Sequence, residues 1–104
     1  MNRDVVYSTR ASQQLTDLYI WIAGQSSFAD RAERYVSAII DFCDALNAAP
    51  FVGNARDDLR PGLRTVGFRR RVVIAFAVTD EVVQVLGIYY GGQDFETDID
   101  VHRM

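Results

Sequence analysis

Residues 59–78, LRPGLRTVGFRRRVVIAFAV, join an arginine-dense segment to the most hydrophobic run in the chain. The run at 72–78 contains no polar residue, which is typical of a strand covered on both faces. Six of the eleven basic residues lie in or beside this stretch: Arg56, Arg60, Arg64, Arg69, Arg70 and Arg71. Because the formal net charge of the whole chain is -3, the stretch predicts a local positive surface on an acidic protein. We expect this surface to contact a partner.

The length and the composition predict one globular domain that comprises residues 1–104. With 104 residues and 49% hydrophobic content, such a chain buries roughly 60 to 65% of the surface that it exposes when unfolded. Charged residues make up 24% and aromatic residues 12% of the chain, so the disordered, collagen-like and low-complexity classes are excluded.

Cysteine usage and the N-terminal sequence indicate a soluble cytoplasmic protein. Cys43 is the single cysteine, so the chain forms neither an internal disulfide nor a cysteine-based metal cluster. The N-terminal sequence MNRDVVYSTR lacks the apolar core of a secretory signal, and no run approaches the roughly 20 apolar residues that cross a bilayer. We therefore expect no cofactor, no metal and no membrane contact.

A short strand followed by a helix is expected at the N-terminus. Residues 4–8 contain the β-favouring run VVY, and Ser8 or Thr9 can cap the helix that follows. An apolar stripe with helical spacing consists of Leu15, Leu18, Tyr19 and Ile22, and Gly24 is the expected end of the helix. Ile20 and Trp21 lie off this stripe, so the helix needs cover on a second side.

A second helix is expected from Ser26 or Ser27 to Pro50. Its apolar stripe consists of Ala32, Tyr35, Val36, Ile39, Cys43 and Leu46. Pro50 ends it, because the residue before a proline is pushed out of helical geometry. The few residues between the two helices predict an antiparallel hairpin. Cys43 is expected to be a small buried hydrophobe.

Three strands are expected in the second half of the chain. One begins at residues 63–66 and turns near Gly67, a long strand covers 70–79, and the last covers 82–90 before the Gly91-Gly92 turn. The final residues FETDIDVHRM are too short and mixed to assign. The order predicts an α+β fold: an N-terminal strand, an antiparallel two-helix hairpin and a three-stranded antiparallel meander in a twisted, mainly antiparallel sheet. A hairpin covers one sheet face, so the other requires the rest of the chain or a partner.

Each candidate binding residue also has a structural interpretation. The arginines at 69–71 are typical of a solvated edge that discourages strand pairing, and they are equally suited to contact a partner or a nucleic acid. Arg60 and Arg64 flank Pro61-Gly62 and can pair with Asp57 and Asp58, or face a partner. Trp21 is more typical of a packing residue than of a ligand anchor. Asp94, Glu96, Asp98 and Asp100 suggest an acidic tail that is solvated or meets a basic partner.

Four segments carry a resemblance to a known family. They are LYIW at 18–21, LNAAP at 46–50, DLRPGLR at 58–64 and LGIYYGGQD at 86–94. In this order and spacing, over roughly residues 6–95, the sequence resembles the ParE/RelE superfamily of toxins from bacterial type II toxin–antitoxin systems. The resemblance implies the RelE/ParE-like fold and a co-expressed antitoxin that lays an extended and helical segment over the toxin.

The superfamily has two main branches that differ in mechanism. The resemblance implies either a ParE-like inhibitor that binds DNA gyrase or a RelE-like ribonuclease that cleaves mRNA on the ribosome. Cleavage through the 2′-hydroxyl requires a group that accepts its proton, an acid for the leaving oxygen and positive charge for the phosphate. A nuclease would use Arg64, Arg71, Tyr89 and Tyr90, since His102 lies beyond the last strand.

The chemistry of these residues favours the ParE-like branch. Arginine stabilises charge but is a poor proton shuttle, and a tyrosine needs a lowered pKa to act near neutral pH. Tyr89-Tyr90 departs from the Leu-His of many ParE-like members. We therefore predict a growth-arresting toxin that is not an enzyme and whose target is DNA gyrase. We expect a ParD-like antitoxin to bind it, and we expect no sequence-specific nucleic-acid binding by the toxin itself. A non-toxic interaction module of the same fold is the third alternative. Candidate contacts to target or antitoxin are Arg60, Arg64, Arg69, Arg70, Arg71, Ile20 and Trp21.

Overall fold

A five-stranded sheet forms the centre of the fold in the computed structural model, which describes residues 3–25 and 29–101. The elements follow the order β1 Asp4–Tyr7, α1 Thr9–Gln25, α2 Ala29–Asp44, β2 Asn54–Ala55, β3 Leu63–Phe68, β4 Val72–Val78, β5 Val82–Tyr90 and α3 Phe95–Val101. The strand order across the sheet is β1-β5-β4-β3-β2. Strand β1 runs parallel to β5, and every other pair is antiparallel. The predicted α+β fold with its antiparallel meander is confirmed.

Helices α1 and α2 cover one face of this sheet. Ser8 caps α1, since its Oγ accepts a hydrogen bond from the Ala11 backbone N–H at 3.0 Å. The predicted stripe supplies Leu15, Leu18 and Ile22 to the core, where each is buried, whereas its fourth member, Tyr19, is exposed. Cys43 on α2 is also fully buried, as predicted. This helical layer closes over the apolar side chains of β4 and β5 and forms the main core.

The end of α2 differs from the prediction. The α-helix ends at Asp44 and continues as one 3₁₀ turn over Ala45–Asn47, well before Pro50. The tighter turn is closed by a hydrogen bond from the Ala48 N–H to the Ala45 carbonyl, and it contains Leu46, whose side chain is buried in the core. The predicted start of the helix at Ser26 or Ser27 lies outside the described residues.

The second face of the sheet is covered by α3, which the sequence did not predict. Ile99 of α3 packs with Leu63, Ala75 and Tyr89 in a separate buried cluster, and Phe95 packs against its margin. This helix lies within the segment that was left unassigned. The expectation that the rest of the chain or a partner covers the second face is met, at least over this cluster, by the chain itself.

The turn between β3 and β4 also corrects the prediction. Gly67 lies inside β3, and the strands meet at Arg69 and Arg70, whose φ angles are 51° and 64°. These left-handed angles at two successive residues are those of the tight hairpin turn that twisted strands prefer. Glycine suggested a turn at Gly67 because it is a frequent turn former, but pairing of Gly67 with Val73 holds it in the ladder. The short strand β2 was likewise not predicted.

Neither a membrane-spanning helix nor a metal-binding cluster occurs among the described residues. No helix within residues 3–25 and 29–101 is long and apolar enough to cross a membrane. Within the same ranges, no group of three or more histidine, cysteine, aspartate or glutamate side chains is arranged to hold a metal ion.

Candidate functional site

The turn at Arg69, Arg70 and Arg71 presents three consecutive basic side chains. All three side chains are exposed, and no ion pair among the described residues uses them. They line a groove of about 490 Å³ together with Gly91 and Gly92. The Gly91 N–H donates to the Arg71 carbonyl at 2.7 Å, which ties the end of β5 to the arginine turn. The backbone that carries Arg71 is therefore joined to the end of β5.

A second groove, of about 650 Å³, begins at Arg71 and runs along α1. Trp21 and Tyr90 form its aromatic wall, with ring centroids 5.4 Å apart. Trp21 nevertheless remains 51% exposed, and its neighbour Ile20 is 63% exposed. Trp21 thus shares a groove with Arg71, and Ile20 adds a second exposed apolar side chain on α1, an arrangement suited to binding another macromolecule.

Tyr89 and Tyr90 project to opposite faces of the sheet, as expected for neighbours on a strand. Tyr89 is buried in the cluster under α3, where its hydroxyl donates to Asp98 Oδ2 at 2.6 Å. Burial raises the pKa of Tyr89, and the hydrogen bond to Asp98 raises it further. Because its pKa is raised, Tyr89 is neutral at physiological pH. Tyr90 packs on the opposite face, against the helical layer and against Trp21.

Arg64 supports the loop that precedes β2. Its guanidinium donates to the carbonyls of Phe51, Val52 and Gly53 at distances of 2.9, 3.1 and 3.4 Å. The expected pairing of Arg64 with Asp57 or Asp58 does not form. Arg64 instead satisfies backbone oxygens that no strand partner reaches, because its guanidinium offers several donors to converging carbonyls.

The aspartates beside Arg60 have other partners as well. Asp58 pairs with Arg56 at 2.8 Å, and Asp57 accepts the Gly62 N–H at 2.9 Å. Arg60 lines a small groove beside Tyr89 and Asp98. The expectation that Asp57 and Asp58 pair with Arg60 or Arg64 is therefore wrong, because Arg56 and the backbone of the Pro61-Gly62 turn take up both carboxylates.

Sequence reasoning missed the role of the acidic C-terminal residues. Asp98 forms an ion pair with Arg10 of α1, and Glu96 forms one with Arg56 at 2.5 Å. These carboxylates bind the chain itself, so they are not a freely solvated tail. A signal was present, since Phe95 and Ile99 have the spacing of one helical face behind Asp94, a residue type that favours helix starts.

The four residues of the nuclease alternative do not converge. Arg64 projects from the sheet face that the helical hairpin covers, whereas Tyr89 projects from the face under α3. Arg64 pairs with Phe76 and Tyr90 with Val72, which places about 13 Å of strand β4 between them. Arg71 and Tyr90 alone meet, in the groove beside Trp21.

A helical hairpin on a mainly antiparallel sheet, with the first strand parallel to the last, defines the RelE/ParE-like class of small α+β domains. The family described as the ParE toxin of type II toxin–antitoxin systems, parDE, matches residues 5–95. The chain belongs to this ParE toxin family.

Solved structures agree with this assignment at the level of the fold. A chain from the structure of the chromosomal ParDE TA system from P. aeruginosa superposes with a TM-score of 0.74 at 21% sequence identity. The match covers 86% of the present chain and 96% of the other. No curated protein matches the sequence.

Proposed function

We propose that this chain inhibits DNA gyrase by binding to it and that a ParD-like antitoxin neutralises the inhibition. The observation that carries the proposal is the exposed Trp21 side chain, which shares a groove with Arg71 of the arginine turn, while its neighbour Ile20 is also exposed on α1. Membership of the ParE family supports a toxin, and this surface supports action through binding.

The chemistry of Tyr89 supports binding over RNA cleavage. A general acid or base works best when its pKa lies near the working pH, and the pKa of Tyr89 is displaced upward from an already high value. Arg64 is engaged with three backbone carbonyls, which occupy N–H donors of its guanidinium and hold it against the loop before β2. A nuclease would require both residues to leave these partners.

The experiment is a supercoiling assay with purified gyrase, relaxed plasmid and the purified chain. We expect supercoiling to fall as the chain is added, and cleaved plasmid to accumulate once protein is removed from the DNA. Unchanged supercoiling at a large molar excess of folded chain contradicts gyrase as the target. A parallel translation reaction distinguishes the alternative, because transcripts cut within translated regions would assign the chain to the nuclease branch.

The antitoxin proposal rests on the open face of α1. A helical or extended antitoxin segment that covers Ile20 and Trp21 would remove their apolar surface from water. Full burial of one such side chain contributes about 1.5 to 3 kcal/mol, so this pair supplies a substantial part of a nanomolar interface.

A matched pair of variants tests this surface by co-purification with the antitoxin. Ile20 and Phe51 are almost equally exposed, at 63% and 64%, but lie on different elements. We expect Ile20→Ser to weaken antitoxin binding at least about tenfold, the equivalent of the lost apolar contact. Phe51→Ser is the control and should retain binding within about twofold, a change of less than 0.5 kcal/mol. Equal retention by both variants would place the antitoxin elsewhere.

A further inference from the structure

Five arginines from two elements form a continuous basic band at one end of the molecule. Arg31 and Arg34 of α2 line a groove of about 550 Å³ that also contains Arg69. Arg69 lines the adjoining groove as well, with Arg70 and Arg71. Since Arg69 belongs to both grooves, the band extends from α2 to the tip of the β3–β4 hairpin, with the carboxylates Glu33 and Asp41 beside its α2 part.

The charges of the band are not neutralised within the described chain. No ion pair between described residues involves any of the five guanidinium groups. Two carboxylates, Glu33 and Asp41, line the groove beside α2, but the groove at the turn has none. On a chain of net charge -3, positive charge is therefore concentrated at the turn.

The backbone of the turn does not favour arginine, although the Arg69 guanidinium lies over the Phe68 ring, 5.0 Å from its centroid. Arg69 and Arg70 have φ angles of 51° and 64°, a region that side chains other than those of glycine, asparagine and aspartate adopt at a cost. Asn-Gly would make the same turn without that cost. Backbone strain of this kind at an exposed, charged position is typical of a functional contact.

We infer that the basic band, formed by Arg31, Arg34, Arg69, Arg70 and Arg71, binds the phosphate backbone of duplex DNA without regard to sequence. A guanidinium matches a phosphate through two parallel hydrogen bonds. A duplex carries one negative charge per about 1.7 Å of its axis, so several fixed cations find phosphates at once. An acidic polypeptide would have to place each carboxylate individually. Contacts to phosphates alone fix position and carry no sequence information.

This inference goes beyond gyrase inhibition, because it concerns a contact that the chain makes in the absence of gyrase. A toxin that holds DNA itself would be concentrated where gyrase works. The two proposals fail separately, since one is measured by supercoiling and the other by direct binding to a duplex without any enzyme.

Fluorescence anisotropy of a labelled 20-base-pair duplex of arbitrary sequence tests the inference. We expect the full chain at 50 mM NaCl to bind with a dissociation constant on the order of 10 μM, as non-specific sites do. The variant R69N/R70G removes two charges and relieves the turn, but it also removes the contact of Arg69 with the Phe68 ring, 5.0 Å from the guanidinium. A thermal melt of the variant therefore accompanies the binding measurement and shows that it is folded. The variant should bind at least about tenfold more weakly, and the slope of log K against log salt should fall by about 2.

Arg3→Gln is the control for bulk charge. Arg3 donates to the Thr79 carbonyl at 2.6 Å, at the end of β4 opposite to Arg71, so its charge lies outside the band. The R3Q variant should bind the duplex within about twofold of the native chain, a change of less than 0.5 kcal/mol.

Three results would overturn the inference. They are no binding of the native chain at 50 mM NaCl, equal binding by R69N/R70G, and equal loss of binding in R3Q. A poly-glutamate peptide that binds where the duplex does not would assign the band to an acidic protein segment instead.

Discussion

Tyr89 owes its fixed position to a glycine two residues earlier in β5. A Cβ atom on Gly87 would lie 2.5 Å from Cε2 and from the hydroxyl oxygen of Tyr89. The phenol ring therefore crosses directly over the backbone on its way to Asp98. A register shift between Ala75 and Phe76 in the facing strand accompanies this arrangement. The absent side chain at residue 87 is thus part of how the second sheet face is packed.

Gly87→Ala should destabilise the fold by about 1 to 3 kcal/mol, the usual range for overpacking, because the added methyl displaces a buried ring. Urea unfolding measures the change as a lower midpoint. Gly24→Ala is the matched control, since a Cβ there meets nothing within 4 Å. That residue lies in α1, where alanine replaces glycine with a gain of up to about 1 kcal/mol. Equal stability of the two variants would contradict the close approach.

Substitution of Arg70 should have the opposite effect on stability from Gly87→Ala. Because its φ of 64° is costly for arginine and free for glycine, Arg70→Gly should raise the free energy of unfolding by about 1 kcal/mol. Arg71→Ala removes an equal charge outside the left-handed pair and serves as the control. A thermal melt of both variants checks this, and a gain that is the same in both would attribute it to reduced charge repulsion.

At the scale of the element, α3 is held by a cap at its start and by two ion pairs. Asp94 caps the helix, because its Oδ1 accepts the Thr97 N–H at 3.1 Å and its Oδ2 accepts the Thr97 hydroxyl at 2.7 Å. The ion pairs of Glu96 and Asp98 then attach the helix to the loop before β3 and to α1. Thus an isolated seven-residue helix, too short to persist in water, is maintained by tertiary contacts.

Acid should weaken this attachment. The hydrogen bonds from Thr97 lower the pKa of Asp94, and the Arg56 side chain lowers the pKa of Asp58. A carboxyl whose folded pKa is depressed binds its proton more readily in the unfolded chain, so the stability that it provides is present above the unfolded pKa of about 4 and is lost as the pH falls below it. Melting temperatures should therefore decline between pH 5 and pH 3, within the range where carboxylates titrate, at about 3.9 for aspartate.

The variant Asp94→Asn distinguishes the contribution of the helix cap from that of the Asp94 charge. Asparagine still caps a helix but does not titrate, so the variant should show a shallower decline of melting temperature over the same interval. A decline as steep as that of the native chain would show that Asp94 has no part in the acid response.

Helices and strands are easier to predict from the sequence than contacts between distant segments are. The stripe of Leu15, Leu18 and Ile22 and the apolar run of β4 predict their elements because periodicity is a local property. Helix α3 is only seven residues long, so the spacing of Phe95 and Ile99 is a weak local signal, and part of what holds the helix comes from Arg10 and Arg56, far away in the chain. The arginine turn is hard to predict from the sequence for another reason: the neighbouring strands impose positive φ on residues that do not favour it.

The same limit applies to the candidate site. Arg69, Arg70 and Arg71 are recognisable as a basic group in the sequence alone, but their connection to Arg31 and Arg34 depends on the fold. The sequence pattern also does not predict that the Arg64 guanidinium donates hydrogen bonds to the carbonyls of a loop. Where a long flexible side chain ends depends on acceptors that the fold brings near it.

At the scale of the whole molecule, Trp21 reports on what covers the helical face. It is the only tryptophan and is half exposed, so its fluorescence in the free chain should be that of a solvated indole. An antitoxin free of tryptophan that covers α1 should shift this emission to shorter wavelength by excluding water. Titration in a fluorimeter measures the shift, and Trp21→Phe should abolish it. An unchanged spectrum at saturation would place the antitoxin away from Trp21.

The parallel pairing of β1 with β5 has a consequence for how the chain is made. Asp4 pairs with Val82, and Tyr7 with Val85, so the first strand to be synthesised waits for the last. At a translation rate of roughly 5 to 20 residues per second, that interval lasts several seconds. Until then β1 remains without its neighbour, and α1 lacks much of the surface on which it packs. The sheet, and with it the surface on which α1 packs, is therefore complete only when the last strand has left the ribosome.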